Sequence, residues 1–155
     1  MNIIKLRTSL EMTSNIKYVG RLRNAGHIGL GNPYSSNKDP KAYYWVKTKK
    51  EALEKYKQWL NGIINCWKQG DIHVMPFNER TYLYQMINLM LDIKNKKVDT
   101  LVCHCVNIGN YQLVGDGKEE CHAEILYKKI LYIQEYVEKT GLNKVDLPGQ
   151  PVLQE

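Results

Sequence analysis

The chain has 155 residues, 43% of them hydrophobic and 25% charged, which suits one globular domain with a real core and excludes a disordered or fibrous protein. No apolar run reaches the roughly 18 residues that a membrane-crossing helix needs. The N-terminus alternates instead of forming a signal-peptide block, and four cysteines do not make a disulfide framework, so a cytoplasmic protein is expected.

Residues 2–8 and 16–20 read as strands; in the second, Ile16, Tyr18 and Gly20 share one side and Lys17 and Val19 the other. Residues 21–43 carry Gly26, Gly29, Gly31, Asn32 and Pro33 with no apolar period, and a connection this long is usually functional or disordered. Thr48 and Glu51 form a capping box, and Leu53, Tyr56, Leu60, Ile63, Ile64 and Trp67 keep one face of the following helix apolar as far as Gly70. A second helix starts at Asn78 or Thr81, with Leu83, Met86, Ile87, Met90 and Leu91 inward. The basic runs at 47–50 and 94–97 read as solvated helix edges.

Residues 98–105 form a strand, 107–118 a Gly-rich loop with Gly109, Gly115 and Gly117, and a last helix begins near Glu119 or Glu120. Its inner positions are Ala123, Leu126, Ile130, Ile133 and Val137, and Gly141 is its stop. Strands alternate with helices. The expected fold is therefore a single compact α/β domain over 1–142, with a mainly parallel sheet flanked by helices, and a tail over 143–155.

Residues 101–126 hold most of the candidate chemistry. Tyr-Val-Gly-Arg (18–21), Gly-Asn-Pro-Tyr (31–34), Ala-Leu-Glu-Lys-Tyr-Lys-Gln-Trp-Leu (52–60), Leu-Val-Cys-His-Cys (101–105) and Cys-His-Ala-Glu-Ile-Leu (121–126) together resemble the domain of unknown function 4326 family, over residues 18–131. Two spacings depart from that family's pattern, at 22–30 and between Cys105 and Cys121, both on the expected ligand face. The resemblance implies a compact Rossmann-like domain, common in bacteria and their phages. It also implies a distant similarity to the SLOG group of nucleotide-related ligand binders and phosphoribohydrolases.

Four kinds of chemistry fit the Cys/His stretch. Cys103, Cys105, Cys121 and His122 make an acceptable zinc set, although adjacent Cys121 and His122 can share a metal only from a non-helical turn. His122-Ala123-Glu124 matches half of the zinc-deaminase signature, but the Pro-Cys-x-x-Cys half is missing. Cys121 at a helix N-terminus beside His122 could be a nucleophile, opposed by Glu119 and Glu120. Anion binding uses more of the chain. Helix amides near Cys121 and the glycines at 29, 31, 115 and 117 would surround a phosphate, Arg21 and Arg23 would clamp it, and Tyr34 and Trp45 would stack on a base.

The resulting expectation is a binding protein for a nucleotide-derived small molecule at the strand C-terminal ends, acting as a homo-oligomer and lining its site with Gly20, Arg21, Arg23, Gly31, Asn32, Pro33, Tyr34, Trp45, Cys103, His104, Cys105, Cys121 and His122. A concrete version is a phage protein that sequesters a host immune signal of the cyclic ADP-ribose type. No cofactor is expected, with zinc on the Cys/His set as the alternative. The competing functions are a nucleoside-processing hydrolase using Glu124 or Cys121, and nucleic-acid binding, which the net charge of +6 favours only weakly because its lysines are scattered.

Overall fold

A computed structural model describes residues 1–5, 11–22, 28–103, 110–112 and 121–141. Strands β1 (Asn2–Lys5), β2 (Ile16–Tyr18) and β5 (Thr100–Cys103) run parallel, with β5 in the middle, and β6 (Asn110–Gln112) joins the outer edge of β1 antiparallel. Ile3 lies beside Leu101, and Val102 is flanked by Ile4 and Tyr18. A strand between two neighbours must bury both faces, and every β5 residue is buried. Leu101 and Cys103 enter the same core as Ile3, and Thr100 and Val102 alternate to the other face. The mainly parallel α/β fold expected from the sequence is therefore present.

Three helices supply most of the rest of the core: α1 (Lys49–Lys68), α2 (Phe77–Lys94) and α3 (His122–Thr140). Helix α1 starts where the capping box puts it, with the Thr48 hydroxyl accepting from the Glu51 N–H at 3.1 Å. The Glu51 carboxylate returns to the N–H of Lys47, one residue before the cap. The inward faces largely match the apolar periods, with Ala52, Tyr82, Leu89 and Ile125 added and Leu53, Leu91 and Val137 only half-buried. Gly141 ends α3 with φ 68°, a conformation that costs a glycine little.

Several boundaries differ from the sequence reading, the strands β2 and β5 being shorter than the expected 16–20 and 98–105. Helix α2 begins at Phe77 after Pro76. The presumed Gly-rich loop contains β6, and α3 begins at His122 with Cys121 as its cap, after the expected start at Glu119 or Glu120. The 21–43 connection leads into a second, two-stranded parallel sheet, β3 (Tyr34–Ser35) with β4 (Tyr44–Trp45). No described helix is long and apolar enough to cross a membrane. The expected tail, 143–155, lies outside the described residues.

Candidate functional site

A cleft of about 570 Å³ opens just beyond the C-terminal end of β2, where ligands of open α/β sheets collect. Tyr18, Gly20 and Arg21 form one side, and residues from Asn32 to Lys41 form another. Lys49, Ala52 and Leu53 bring in the first turn of α1, and His122 brings in the first residue of α3. The size lies within the ~300–1,000 Å³ of small-molecule sites.

The wall is built by the two motifs, Gly-Arg and Gly-Asn-Pro-Tyr, holding each other. The Arg21 guanidinium donates from Nε to the Asn32 carbonyl at 2.6 Å, from Nη2 to the Tyr34 carbonyl at 2.7 Å, and from Nη1 to Asp39 Oδ2 at 2.9 Å. Asn32 accepts from the Tyr34 N–H through Oδ1 and donates through Nδ2 to the Ala52 carbonyl in the first turn of α1. Gly31 packs so closely on Arg21 that a Cβ would stand 2.6 Å from its backbone nitrogen. At Gly20 a Cβ would meet the Tyr18 hydroxyl at 2.2 Å. A larger residue at 31 would push the wall's backbone apart, and one at 20 would displace the Tyr18 ring.

Arg21 therefore lines the cleft, yet three of its five N–H groups are committed to the protein, where the sequence suggested a phosphate clamp. Asp39 is held by both Arg21 and Lys41. Burial pushes its pKa up, but the Lys41 backbone N–H and the Arg21 guanidinium outweigh that and hold the carboxyl below its usual range. Tyr34 stacks on Tyr44 with ring centroids 4.9 Å apart. Burial, then Tyr44 and Glu79, raise the Tyr34 hydroxyl's pKa, so it stays a neutral donor at pH 7.

Of the residues expected to touch a ligand, Gly20, Arg21, Asn32, Tyr34 and His122 converge on the cleft. Gly31, Pro33, Trp45, Cys103 and Cys121 are described but do not line it. Pro33 is buried and offers its carbonyl to the Tyr43 and Tyr44 N–H groups, and the exposed Trp45 donates its indole N–H to the Asp39 carbonyl. Arg23, His104 and Cys105 lie outside the described residues. The alternative catalytic residues are enclosed: Cys121 and Glu124 are each 1% exposed and absent from the lining. Glu124 Oε2 has no hydrogen-bond partner among the described residues.

Sequence reasoning missed the apolar and aromatic lining of Tyr18, Ala52 and Leu53 and the polar groups of Ser35, Ser36, Asn37, Asp39, Lys41 and Lys49. Lys49 carried a usable signal. The 47–50 run is a solvated helix edge, as read, but it lies at the N-terminus of α1, where a cation opposes the helix dipole, and Lys49 also lines the cleft.

Two of the five segments that carried the resemblance, at 18–21 and 31–34, thus build one wall of one cleft. A family model described as "Domain of unknown function (DUF4326)" matches residues 4–131. The chain belongs to this family. The DUF4326 match covers the second half of β1, the other three strands of the sheet, α1, α2 and the cleft, and reaches about halfway along α3. No curated protein and no solved structure matches the chain at a significant level.

Proposed function

We propose that this cleft binds the phosphate-bearing part of a nucleotide-derived small molecule and holds it without turning it over. The observation that carries the reading is the charge of the lining. Arg21, Lys41 and Lys49 face a single carboxylate, Asp39, which is already held by two of them. Lys49 stands at the amino end of a 20-residue helix, whose free N–H groups favour an anion. The Ser36 hydroxyl and the side-chain amide of Asn37 supply further polar groups, and Tyr34 a ring on which a base can stack.

Binding is favoured over hydrolysis because Glu124 and Cys121, the candidate acid–base and nucleophile, are buried away from the lining. The concrete form of the proposal is sequestration of a signal of the cyclic ADP-ribose type. The test incubates the purified protein with cyclic ADP-ribose isomers, ADP-ribose and ATP, removes unbound ligand, denatures the complex and identifies what is released. Intact ligand from the native protein, and at least tenfold less from Lys49→Glu, supports the proposal. Released fragments would instead establish a hydrolase, and failure of every nucleotide to bind would sink the reading.

A further inference from the structure

The Cys/His stretch forms a second group of side chains, of which only His122 also lines the cleft. Strand β5 ends on Cys103, and Cys121 caps α3. Their sulfurs lie 3.1 Å apart, and one ligand atom from each of Cys103, Cys121 and His122 falls within 4.8 Å of the others. All three residues are buried, at 0%, 1% and 8% exposure.

Two features make this set fit for a metal. The first is the state of His122. Its Nε2 lies 2.7 Å from the Val19 carbonyl. A carbonyl oxygen only accepts, so Nε2 carries the proton and Nδ1 is the ring nitrogen through which the imidazole would ligate. A ligating histidine whose other N–H is fixed by a backbone carbonyl is the usual outer-shell arrangement of metal sites. The second is the backbone at Cys121, which is extended, with φ −138° and ψ 140°, while His122 begins the helix. That is the non-helical turn that lets adjacent residues converge on one ion. The Ala123 N–H donates to the Cys121 sulfur at 3.4 Å, and the positive end of the 19-residue helix falls on the same sulfur. Both suit a negatively charged thiolate ligand.

We propose that Cys103, Cys121 and His122 bind one zinc ion. Two sulfurs and one imidazole suit zinc's ligand preference, and the three ligands among the described residues leave a fourth tetrahedral position to water or a further ligand. Sulfur–zinc bonds of about 2.3 Å place two tetrahedral sulfurs about 3.8 Å apart, so the thiols part by less than 1 Å on binding. His122 also lines the cleft, so the ion would share a wall with it. The proposal does not depend on what the cleft binds. Metal content and nucleotide binding are separate measurements and fail separately.

The test purifies the untagged full chain under reducing conditions with zinc supplied, then measures zinc by elemental analysis. About one zinc per chain is expected, falling at least tenfold in Cys103→Ser/Cys121→Ser. Cobalt added to metal-stripped native protein should give the intense thiolate charge-transfer absorption of a tetrahedral site, a readout that needs no variant to fold. Chelation should release two thiols to a thiol reagent in the native protein. A stoichiometry near zero with no cobalt signal would overturn the proposal. So would a Cys103–Cys121 disulfide as the dominant form under the same reducing conditions, or zinc content unchanged in the double variant.

Discussion

Arg21 holds three acceptors at once from three nitrogens spread over a rigid plane, and the single nitrogen of a lysine could not span them. The guanidinium is a planar fork whose N–H groups point in fixed directions, while an ammonium is a single compact charge. In Arg21→Lys the carbonyls of Asn32 and Tyr34 lose their donors, which are bonded at 2.6 and 2.7 Å, and the wall loses its tie to β2. Leaving such partly buried acceptors unmade costs about 1–3 kcal/mol each before water and rearrangement offset part of it. We expect Arg21→Lys to lower stability by about 2 kcal/mol, read as a lower urea midpoint at unchanged slope. A midpoint within error of the native one would mean that the three bonds contribute nothing net. The prediction separates two roles that look alike in sequence, since a phosphate clamp alone would weaken binding and leave stability intact.

Between elements, the tyrosine hydroxyls carry more than their rings suggest. The chain has eleven tyrosines and one phenylalanine, and Tyr82 shows what the hydroxyl does. Its Oη donates to the Leu30 carbonyl at 2.8 Å, so the Tyr56 hydroxyl, 2.6 Å away, donates to it in turn. Helices α1 and α2 and the loop before the cleft wall are thereby joined through one atom. Burial drives the Tyr82 pKa far up, and the hydroxyl stays a donor across the accessible pH range. Tyr82→Phe keeps the ring packing and removes the junction, so a loss of about 1–3 kcal/mol is expected in thermal or urea unfolding. Tyr84→Phe, at a half-buried position on the same helix, should change stability by less than about 0.5 kcal/mol and serves as its control. Equal effects of the two changes would deny the junction any role. The helices themselves were legible because apolar residues at the 3.6-residue period must share a face. Strands β3 and β4, at two residues each, are too short for alternation to register. The start of α3 was misplaced because its cap is a cysteine, outside the usual capping residues, while Glu119 and Glu120 resembled a first turn.

Across the whole molecule, the cleft was only half legible, for a physical reason. Glycine and arginine at 20–21 and the Gly-Asn-Pro segment stand out as motifs because they make backbone contacts that other residues cannot make. The groups left to meet a ligand, among them Lys41, Lys49 and Ser36, are ordinary surface residues in sequence, and only the fold brings them together. Their chemistry makes a prediction about range. A net charge of +6 spread over the chain would attract any polyanion, and binding of that kind releases a counterion for each phosphate neutralised. A protein contacting several nucleic-acid phosphates loses about a thousandfold or more in affinity between ~50 and ~200 mM salt. A cleft with Arg21, Lys41 and Lys49 around one or two phosphates makes fewer such contacts, at close range, where screening over a Debye length of about 8–10 Å has less effect. We therefore expect the affinity for a nucleotide ligand, followed by titration calorimetry, to fall by no more than about tenfold over that salt range. Duplex DNA or RNA should bind weakly and be lost over the same range. A steep salt slope for the small ligand, or salt-resistant binding of nucleic acid, would move the site from the cleft to the basic surface as a whole.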